Sequence, residues 1–332
     1  MKHAIKNQFP LDFSWRTQDP FLICAFHHDD YPKSNGGYGP ATSLEGRDIG
    51  MDFKIKDGFR MYHGDQVPGF PVHPHRGFET ITLVRQGFVD HADSLGSSGR
   101  YGYGDVQWMT AGSGIQHSEM FPLLYKDKEN TFELFQLWIN LPKKNKMVAP
   151  DYKMFWAEQI PRVEVDDVII DVIAGTFNGV KAIAPPQYSW ANDEQNEVAV
   201  WLLTMKPGSS IDLPNASQNL NRSLFYYRGG NIKVGDQTVP AMTGFELDAT
   251  VSCKIEAGDK AEIIVIQGRP INEPVAQHGP FVMNTHEEIV QAFSDYQSTH
   301  FGGWPWDRRD VVHGPDPQRF GKHSNGQVDL PG

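Results

Sequence analysis

Two pairs of polar residues constrain the fold of this 332-residue chain more than any other feature. His73 and His75 form the first pair, and His117 and Glu119 form the second. Successive side chains of an extended strand point to opposite faces, so the members of each pair share a face if the pair lies on a strand. Two such strands facing each other bring three imidazoles and one carboxylate together. The spacing therefore predicts a metal site built on two β-strands.

The segments around both pairs have the composition of antiparallel β structure. Residues 80–84 (TITLV) are rich in β-branched residues, and residues 88–92 predict the returning strand of a hairpin. Residues 105–109 predict a further strand, and the glycine-containing residues 111–114 predict a tight turn that leads to His117. This punctuation is typical of a small antiparallel barrel.

Three imidazoles and a carboxylate bind a divalent first-row ion while leaving one or two coordination positions open. That pattern is catalytic, whereas a structural site is closed by protein ligands. The donor set suits Fe(II) and oxygen chemistry, whereas affinity alone favours Cu or Ni, and Mn, Co and Zn also fit. We therefore expect one divalent metal ion per chain, with Fe(II) as the first choice.

Composition limits the classes of fold and partner. The length predicts two domains, and 32 Gly and 23 Pro leave little room for long helices, which favours an all-β protein. A formal net charge of −11 repels phosphate backbones and argues against direct nucleic-acid binding. Cys24 and Cys253 lie in apolar segments and are expected to be buried thiols in a reducing cytoplasm. No run of about 20 apolar residues predicts a membrane span.

Four motifs of the chain resemble the pirin family of the cupin superfamily. They are residues 69–80 (GFPVHPHRGFET), 104–112 (GDVQWMTAG), 114–120 (GIQHSEM) and 277–285 (QHGPFVMNT). The resemblance covers roughly residues 1–300. It implies two tandem cupin barrels (double-stranded β-helix, or jelly-roll) with metal in the first only. It also implies either quercetin dioxygenase activity, as in several bacterial members, or transcriptional co-regulation, as in animal ones.

These observations predict three sequence regions. Residues 1–145 form the metal-binding cupin domain, and residues 1–50 are interpreted as irregular apart from one buried strand in 21–26. Residues 146–284 form a second cupin domain, which lacks the metal site because no histidine occurs from 118 to 277. Residues 285–332 form a helix and a tail.

The C-terminal region contains the one helix that the pattern predicts. It spans residues 285–298, with Thr285 or Asn284 as N-cap and with an apolar stripe formed by Ile289, Ala292, Phe293 and Tyr296. The tail from 299 contains six Gly and four Pro. It is either a strap laid over the body or disordered, and its aromatic residues Phe301, Trp304, Trp306 and Phe320 favour the strap.

Several other polar residues have structural interpretations. The run 27–30 (HHDD) resembles a metal cluster, but adjacent strand residues point apart and do not chelate one ion easily. Glu79 is interpreted as a residue that supports the site or the fold, since Glu119 takes the ligand position as in pirins. Arg76 is expected to pair with a carboxylate, and His278 is expected to be a packing residue.

The resemblance implies a metal-dependent dioxygenase that opens the ring of a flavonol such as quercetin, or oxidises a related aromatic enol, with O₂. In that hypothesis Glu119 accepts the proton of the substrate hydroxyl. The alternative is a non-enzymatic iron-binding redox sensor or transcriptional co-regulator that acts through protein partners.

Overall fold

The computed structural model describes residues 4–332 and shows a chain made mostly of strands, with a single α-helix in that part of the sequence. Short 3-10 helices lie at Lys143–Asn145, Trp190–Asn192, Glu194–Asn196 and His300–Gly302. The helix is α1 (His286–Thr299). In chain order the strands are β1 (Ile5–Pro10), β2 (Ser14–Trp15), β3 (Phe21–Tyr31), β4 (Gly69–His75), β5 (Phe78–Gln86), β6 (Phe88–Asp93), β7 (Ser98–Gly102), β8 (Val106–Thr110), β9 (Ile115–Met120), β10 (Asn130–Asn140), β11 (Asp151–Phe155), β12 (Arg162–Val165), β13 (Val168–Ala174), β14 (Thr176–Phe177), β15 (Val180–Lys181), β16 (Ala199–Met205), β17 (Ser210–Leu213), β18 (Asn221–Gly229), β19 (Ile232–Val234), β20 (Gln237–Val239), β21 (Thr243–Asp248), β22 (Cys253–Ala257), β23 (Ala261–Gly268), β24 (Ala276–His278), β25 (Phe281–Met283), β26 (Phe320–Lys322) and β27 (Val328–Asp329).

The described chain divides into two compact units, and neither is continuous in sequence. The histidine unit comprises residues 26–136, 143–158 and 273–332. The aliphatic unit comprises residues 4–25, 137–142 and 159–272. The boundaries at 145 and 284 inferred from the sequence suppose continuous domains, whereas strand pairing assigns the chain differently. β1 pairs with β21, β11 pairs with β8, and β26 pairs with β7.

Two sheets build the histidine unit. One includes strands in the order β11-β8-β5-β10-β3, and the other has the order β27-β26-β7-β6-β9-β4. The first sheet supplies large apolar side chains that are almost inaccessible to solvent, among them Ile81, Trp108 and Phe135. The second sheet contains both predicted polar pairs, on β4 and β9. The two strands predicted after the first pair are present as β5 and β6, but the hairpin predicted from them is wrong. The two strands lie in different sheets, where β5 pairs with β8 and β6 pairs with β7 and β9.

The aliphatic unit has a seven-stranded sheet, β1-β21-β18-β23-β16-β13-β12, and a four-stranded sheet, β17-β22-β19-β20. Its core consists almost wholly of apolar side chains, including Val172, Leu203, Leu224 and Val265. The interpretation of residues 1–50 as irregular outside one strand is wrong at β1, because that segment adds an edge strand to β21. The predicted strand within 21–26 is confirmed and continues to Tyr31 as β3.

The predicted C-terminal helix is confirmed, shifted by one residue. Thr285 is its N-cap: the Thr285 side chain accepts a hydrogen bond from the Glu288 backbone N–H, and the Glu288 carboxylate accepts one from the Thr285 N–H. This capping box satisfies two backbone donors that a helix start leaves without partners. Ile289 and Ala292 are buried, and Phe281 of β25 packs in the same apolar cluster.

Of the two alternatives for the tail, the structure shows the strap, which is formed by residues 300–332. β26 extends the second sheet of the histidine unit by pairing with β7. Trp306 Nε1 donates a hydrogen bond to the Asp93 carbonyl at 2.8 Å, and the His313 backbone N–H donates to Asp90 Oδ2 at 2.8 Å. The aromatic residues that favoured the strap include Phe301, which packs in the apolar cluster beside α1.

Two expectations from composition concern the cysteines and the membrane. Cys24 and Cys253 are both free and buried, as predicted. In residues 4–332, α1 is too short and too polar to cross a membrane, and so are the 3-10 helices.

Candidate metal centre

The two predicted polar pairs lie on neighbouring antiparallel strands. β4 pairs with β9, and His73 is the direct register partner of His117. A bulge between Phe70 and His73 adjusts the register of β4 just before the first pair. Register partners on one face of an antiparallel pair are close neighbours, so the strands alone bring these imidazoles together. The strand geometry predicted for the three histidines is therefore present in the structure.

The three imidazoles form one tight cluster. Their ring centroids are 4.5 Å apart for His73 and His117, 4.8 Å for His73 and His75, and 4.9 Å for His75 and His117. One nitrogen from each ring lies within 4.8 Å of one nitrogen of both others. No other group of three potential metal ligands of this kind occurs between residues 4 and 332. Three imidazole nitrogens at this separation can hold a divalent ion.

Backbone carbonyls orient two of the rings. His73 Nδ1 lies 2.9 Å from the Pro71 carbonyl oxygen, and His75 Nδ1 lies 3.4 Å from the Pro280 carbonyl oxygen. A bond from Nδ1–H to a carbonyl leaves Nε2 unprotonated and available to a metal. His117 is fully buried, and its two ring nitrogens have no hydrogen-bond partner among residues 4–332. Because such a group is costly to bury, a metal ion bound to His117 fits the residues present.

Burial keeps these imidazoles neutral. It lowers the pKa of His73 to about 4. The pKa values of His75 and His117 lie well below the ordinary histidine range. Burial is the main cause, and repulsion from the neighbouring imidazoles is the second. A neutral imidazole is the form that binds a metal, so the cluster does not have to lose protons near neutral pH before an ion enters.

Glu119 lies beside the cluster without being part of it. Its Oε2 is 3.7 Å from His117 Nε2. Thr82 donates a hydrogen bond to Oε1 at 3.2 Å, and Gln136 donates one to Oε2 at 2.9 Å. Burial raises the pKa of this carboxyl above the ordinary glutamate value. The assignment of Glu119 as a fourth ligand stays a prediction.

His91 is a buried neighbour that the sequence analysis did not single out. His91 lies on β6 and is the register partner of Glu119 on β9. Its ring centroid is 5.6 Å from that of His117. Its Nε2 lies 3.3 Å from Asp93 Oδ2. The signal was the i, i+2 spacing of His91 and Asp93, although the predicted strand 88–92 stopped one residue short of Asp93.

The remaining candidates have roles that keep them out of the cluster. Glu79 is fully buried and accepts a hydrogen bond from Thr110 at 2.6 Å. Arg76 forms an ion pair with Asp295 at 2.7 Å, as the sequence predicted. His278 is exposed.

The HHDD run does not form a metal cluster. His27 is buried against Tyr62 and Phe121, whereas His28 lies 3.5 Å from Glu133. Asp29 is held by Arg60 at 2.9 Å. These separate partners support the structural interpretation of the run.

Two glycines permit the close approaches around the site. Gly77, directly before β5, has φ +87°, and a Cβ there would lie 2.0 Å from the Val282 carbonyl oxygen. Gly114, just before β9, has φ +132°, and a Cβ there would lie 2.7 Å from the Phe301 ring. Only glycine fits both the conformation and the contact.

A cavity of about 460 Å³ lies in the aliphatic unit, and another of about 610 Å³ opens beside the imidazole cluster. Two segments of the chain line the second cavity. Residues 63–73 contribute His63, Asp65, Pro71, Val72 and His73, and residues 308–310 contribute Arg308, Arg309 and Asp310. Its volume falls in the usual range of small-molecule sites.

The fold and the cluster define a protein with two cupin domains, one of which contains three clustered imidazoles. The pirin family model matches residues 42–139, and the model of the pirin C-terminal cupin domain matches residues 200–302. The chain belongs to the pirin family. The predicted all-β fold of two cupin domains is thereby confirmed.

Similar proteins and a similar crystal structure agree with this assignment. A protein of Pseudomonas aeruginosa named "Putative quercetin 2,3-dioxygenase" is 38% identical over 241 residues, covering 71% of this chain and 80% of the relative. A "Pirin-like protein" of Caulobacter vibrioides is 39% identical over 239 residues, covering 71% and 82%. The crystal structure of a quercetin 2,3-dioxygenase from Acinetobacter baumannii superposes with a TM-score of 0.72 at 26% identity, covering 90% of this chain and 98% of that one.

Proposed function

We propose that this protein is a metal-dependent dioxygenase that oxidises a flavonol or a related aromatic enol with O₂, as quercetin 2,3-dioxygenases do. The observation that carries the proposal is the cluster of three neutral imidazoles beside a cavity of about 610 Å³. Similarity to proteins named for quercetin oxidation supports the reaction class. The metal is proposed to be Fe(II), held by His73, His75 and His117, with Glu119 as a fourth ligand.

A divalent metal ion held here would supply Lewis acidity and, if iron, the redox chemistry that activates O₂. Glu119 accepts the proton of the substrate hydroxyl. Thr82 and Gln136 fix the orientation of this carboxylate through the two hydrogen bonds described above. Burial makes the carboxylate more basic than an exposed one, which favours proton transfer from an enol at neutral pH. His73, which lines the cavity, marks the side from which substrate approaches.

Turnover of quercetin by iron-loaded protein tests the proposal. We expect loss of quercetin absorbance in air, with release of about one carbon monoxide per quercetin, and no loss under nitrogen. Metal-free protein is the control and should be inactive. If protein carrying one equivalent of iron neither consumes quercetin nor releases carbon monoxide, the dioxygenase proposal is wrong. That result would favour the iron-binding redox sensor or co-regulator.

A further inference from the structure

The cavity beside the imidazole cluster has two walls of different origin. One wall comes from β4 and the loop before it, and it contributes Asp65, Val72 and His73. The other wall comes from the strap, and it contributes Arg308, Arg309 and Asp310. The pirin family models end at residue 302, so the second wall lies outside the matched domains.

The strap is fixed where it forms this wall. β4 is the last strand of its sheet, and the Val72 backbone N–H donates to the Arg309 carbonyl oxygen at 2.8 Å. This bond covers an edge donor of β4 one residue before His73. Trp306 and His313, on either side, carry the two further anchoring hydrogen bonds already described. The backbone of Arg309 therefore has a set position next to the metal-binding strand.

The two arginines of the wall differ in their partners. Arg308 donates to both carboxylate oxygens of Asp310, at 3.1 and 2.8 Å, so its charge is compensated. The guanidinium of Arg309 forms no hydrogen bond or ion pair with any residue between 4 and 332. It is exposed and lies on the cavity wall. A guanidinium offers a planar set of donors that matches a carboxylate or similar oxyanion.

We propose that Arg309 selects substrates that carry an anionic group, such as a carboxylate, in addition to the metal-binding hydroxyls of an aromatic enol. The proposal deepens the dioxygenase proposal and rests on it for the enol part of the substrate. The hydroxyls of such a molecule face the imidazole cluster, and its oxyanion reaches the strap wall. Arg309 is then a specificity-determining residue supplied by the strap.

The charges of the cavity agree in sign with this selection. Arg308 and Asp310 cancel each other in their ion pair. Arg309 and Asp65 carry opposite charges on the two walls. A divalent ion at the imidazoles makes the balance positive, so an anion is favoured over a neutral molecule. Asp65 opposes the anion and supplies a variant with the reverse effect.

Binding of two probes to the full-length, Zn(II)-loaded protein tests the proposal without turnover. Protocatechuate and catechol share the two metal-binding hydroxyls, and only protocatechuate carries a carboxylate. Calorimetry gives the ratio of their affinities in each variant. We expect wild type to favour protocatechuate, Arg309→Gln to reduce the ratio about tenfold, and catechol affinity to stay within about twofold. Arg309→Lys should reduce the ratio less, because it keeps the charge and loses the planar fork.

Two matched variants separate direct contact from the general field. Arg308→Gln removes the same charge from the same wall and should change the ratio about twofold or less. Asp65→Asn should raise the ratio. Equal effects of Arg308→Gln and Arg309→Gln, an unchanged ratio in Arg309→Gln, or no binding of either probe to wild type would overturn the role of Arg309. Quercetin turnover is measured separately, so failure of the dioxygenase proposal is distinguishable from failure of this one.

Discussion

The histidine unit and the aliphatic unit are both built from β-sheets, but the side chains in their interiors differ in polarity. In the histidine unit, one sheet places His73, His117, Glu119 and His91 on adjoining strands. In the aliphatic unit, residues 159–272 contain no histidine, and the core is built almost wholly from aliphatic and aromatic side chains. The cupin architecture is therefore independent of the polar residues. The imidazole cluster is an addition to a scaffold that apolar packing can stabilise alone.

The comparison also shows what a polar interior requires. Each buried polar group without a partner costs about 1–3 kcal/mol. In the histidine unit, Pro71, Pro280, Thr82 and Gln136 supply partners for the imidazoles and the carboxylate. The aliphatic unit has few such groups, and its fully buried Arg222 is held by two hydrogen bonds to Gln267. Burial lowers the pKa of Arg222 to about 10.

The largest expected effect concerns metal binding, which we expect in the histidine unit and not in the aliphatic unit. His117→Ala removes one of three clustered nitrogens, so bound metal should fall from about one equivalent to nearly none. Elemental analysis after dialysis measures it. His278→Ala is the matched control, since His278 is exposed and outside the cluster, and it should keep its metal. A full equivalent retained by His117→Ala would place a metal site elsewhere, including the aliphatic unit, and would break the comparison.

The next effect separates a base from a ligand at Glu119. Glu119→Gln keeps the shape and can still accept from Thr82 but cannot take a proton, so some metal should remain. A general base contributes about 10²–10⁴-fold, and turnover of quercetin per bound metal should fall by that range. Unchanged activity per bound metal would exclude Glu119 as the base. Activity and metal content are measured on one preparation.

A core truncation tests the independence of the scaffold. Leu224 is fully buried in the aliphatic unit, and Leu224→Ala should lower the free energy of unfolding by about 2–5 kcal/mol. Urea unfolding measures the loss, while metal content of the folded protein should stay near one equivalent. Leu95→Ala, at a site 43% exposed, is the control and should have a small effect. Loss of metal from folded Leu224→Ala would show that the site depends on the aliphatic core.

The smallest effect concerns the only α-helix between residues 4 and 332, which belongs to the histidine unit. Thr285→Ala removes the N-cap acceptor of α1 and should cost about 1 kcal/mol of stability. Thr285→Ser keeps the hydroxyl and should be near wild type in thermal unfolding. Equal losses in both variants would mean that the methyl group, and not the cap, matters.

Much of the site was predictable because it depends on local spacing. The i, i+2 pairs, the individual strands β5 and β6 and the capped helix are each encoded within a few residues, whereas the pairing of β5 and β6 in different sheets is not. Long-range pairing was not visible: β1 has only one β-branched residue, and its strand conformation depends on β21, more than 230 residues later. The hydrogen bond from Gln136 to Glu119 was equally unpredictable, since nothing in the sequence of β10 indicates which residue Gln136 contacts.

The strap has a consequence for the order in which the protein is made. His73, His75 and His117 leave the ribosome well before residues 306–313, which follow only after the whole aliphatic unit has been synthesised. Until then the edge of β4 lacks its cover at Val72 and the cavity lacks its second wall. The nascent chain thus carries all three imidazoles while this side of β4 is still open, and the strap adds the second wall last.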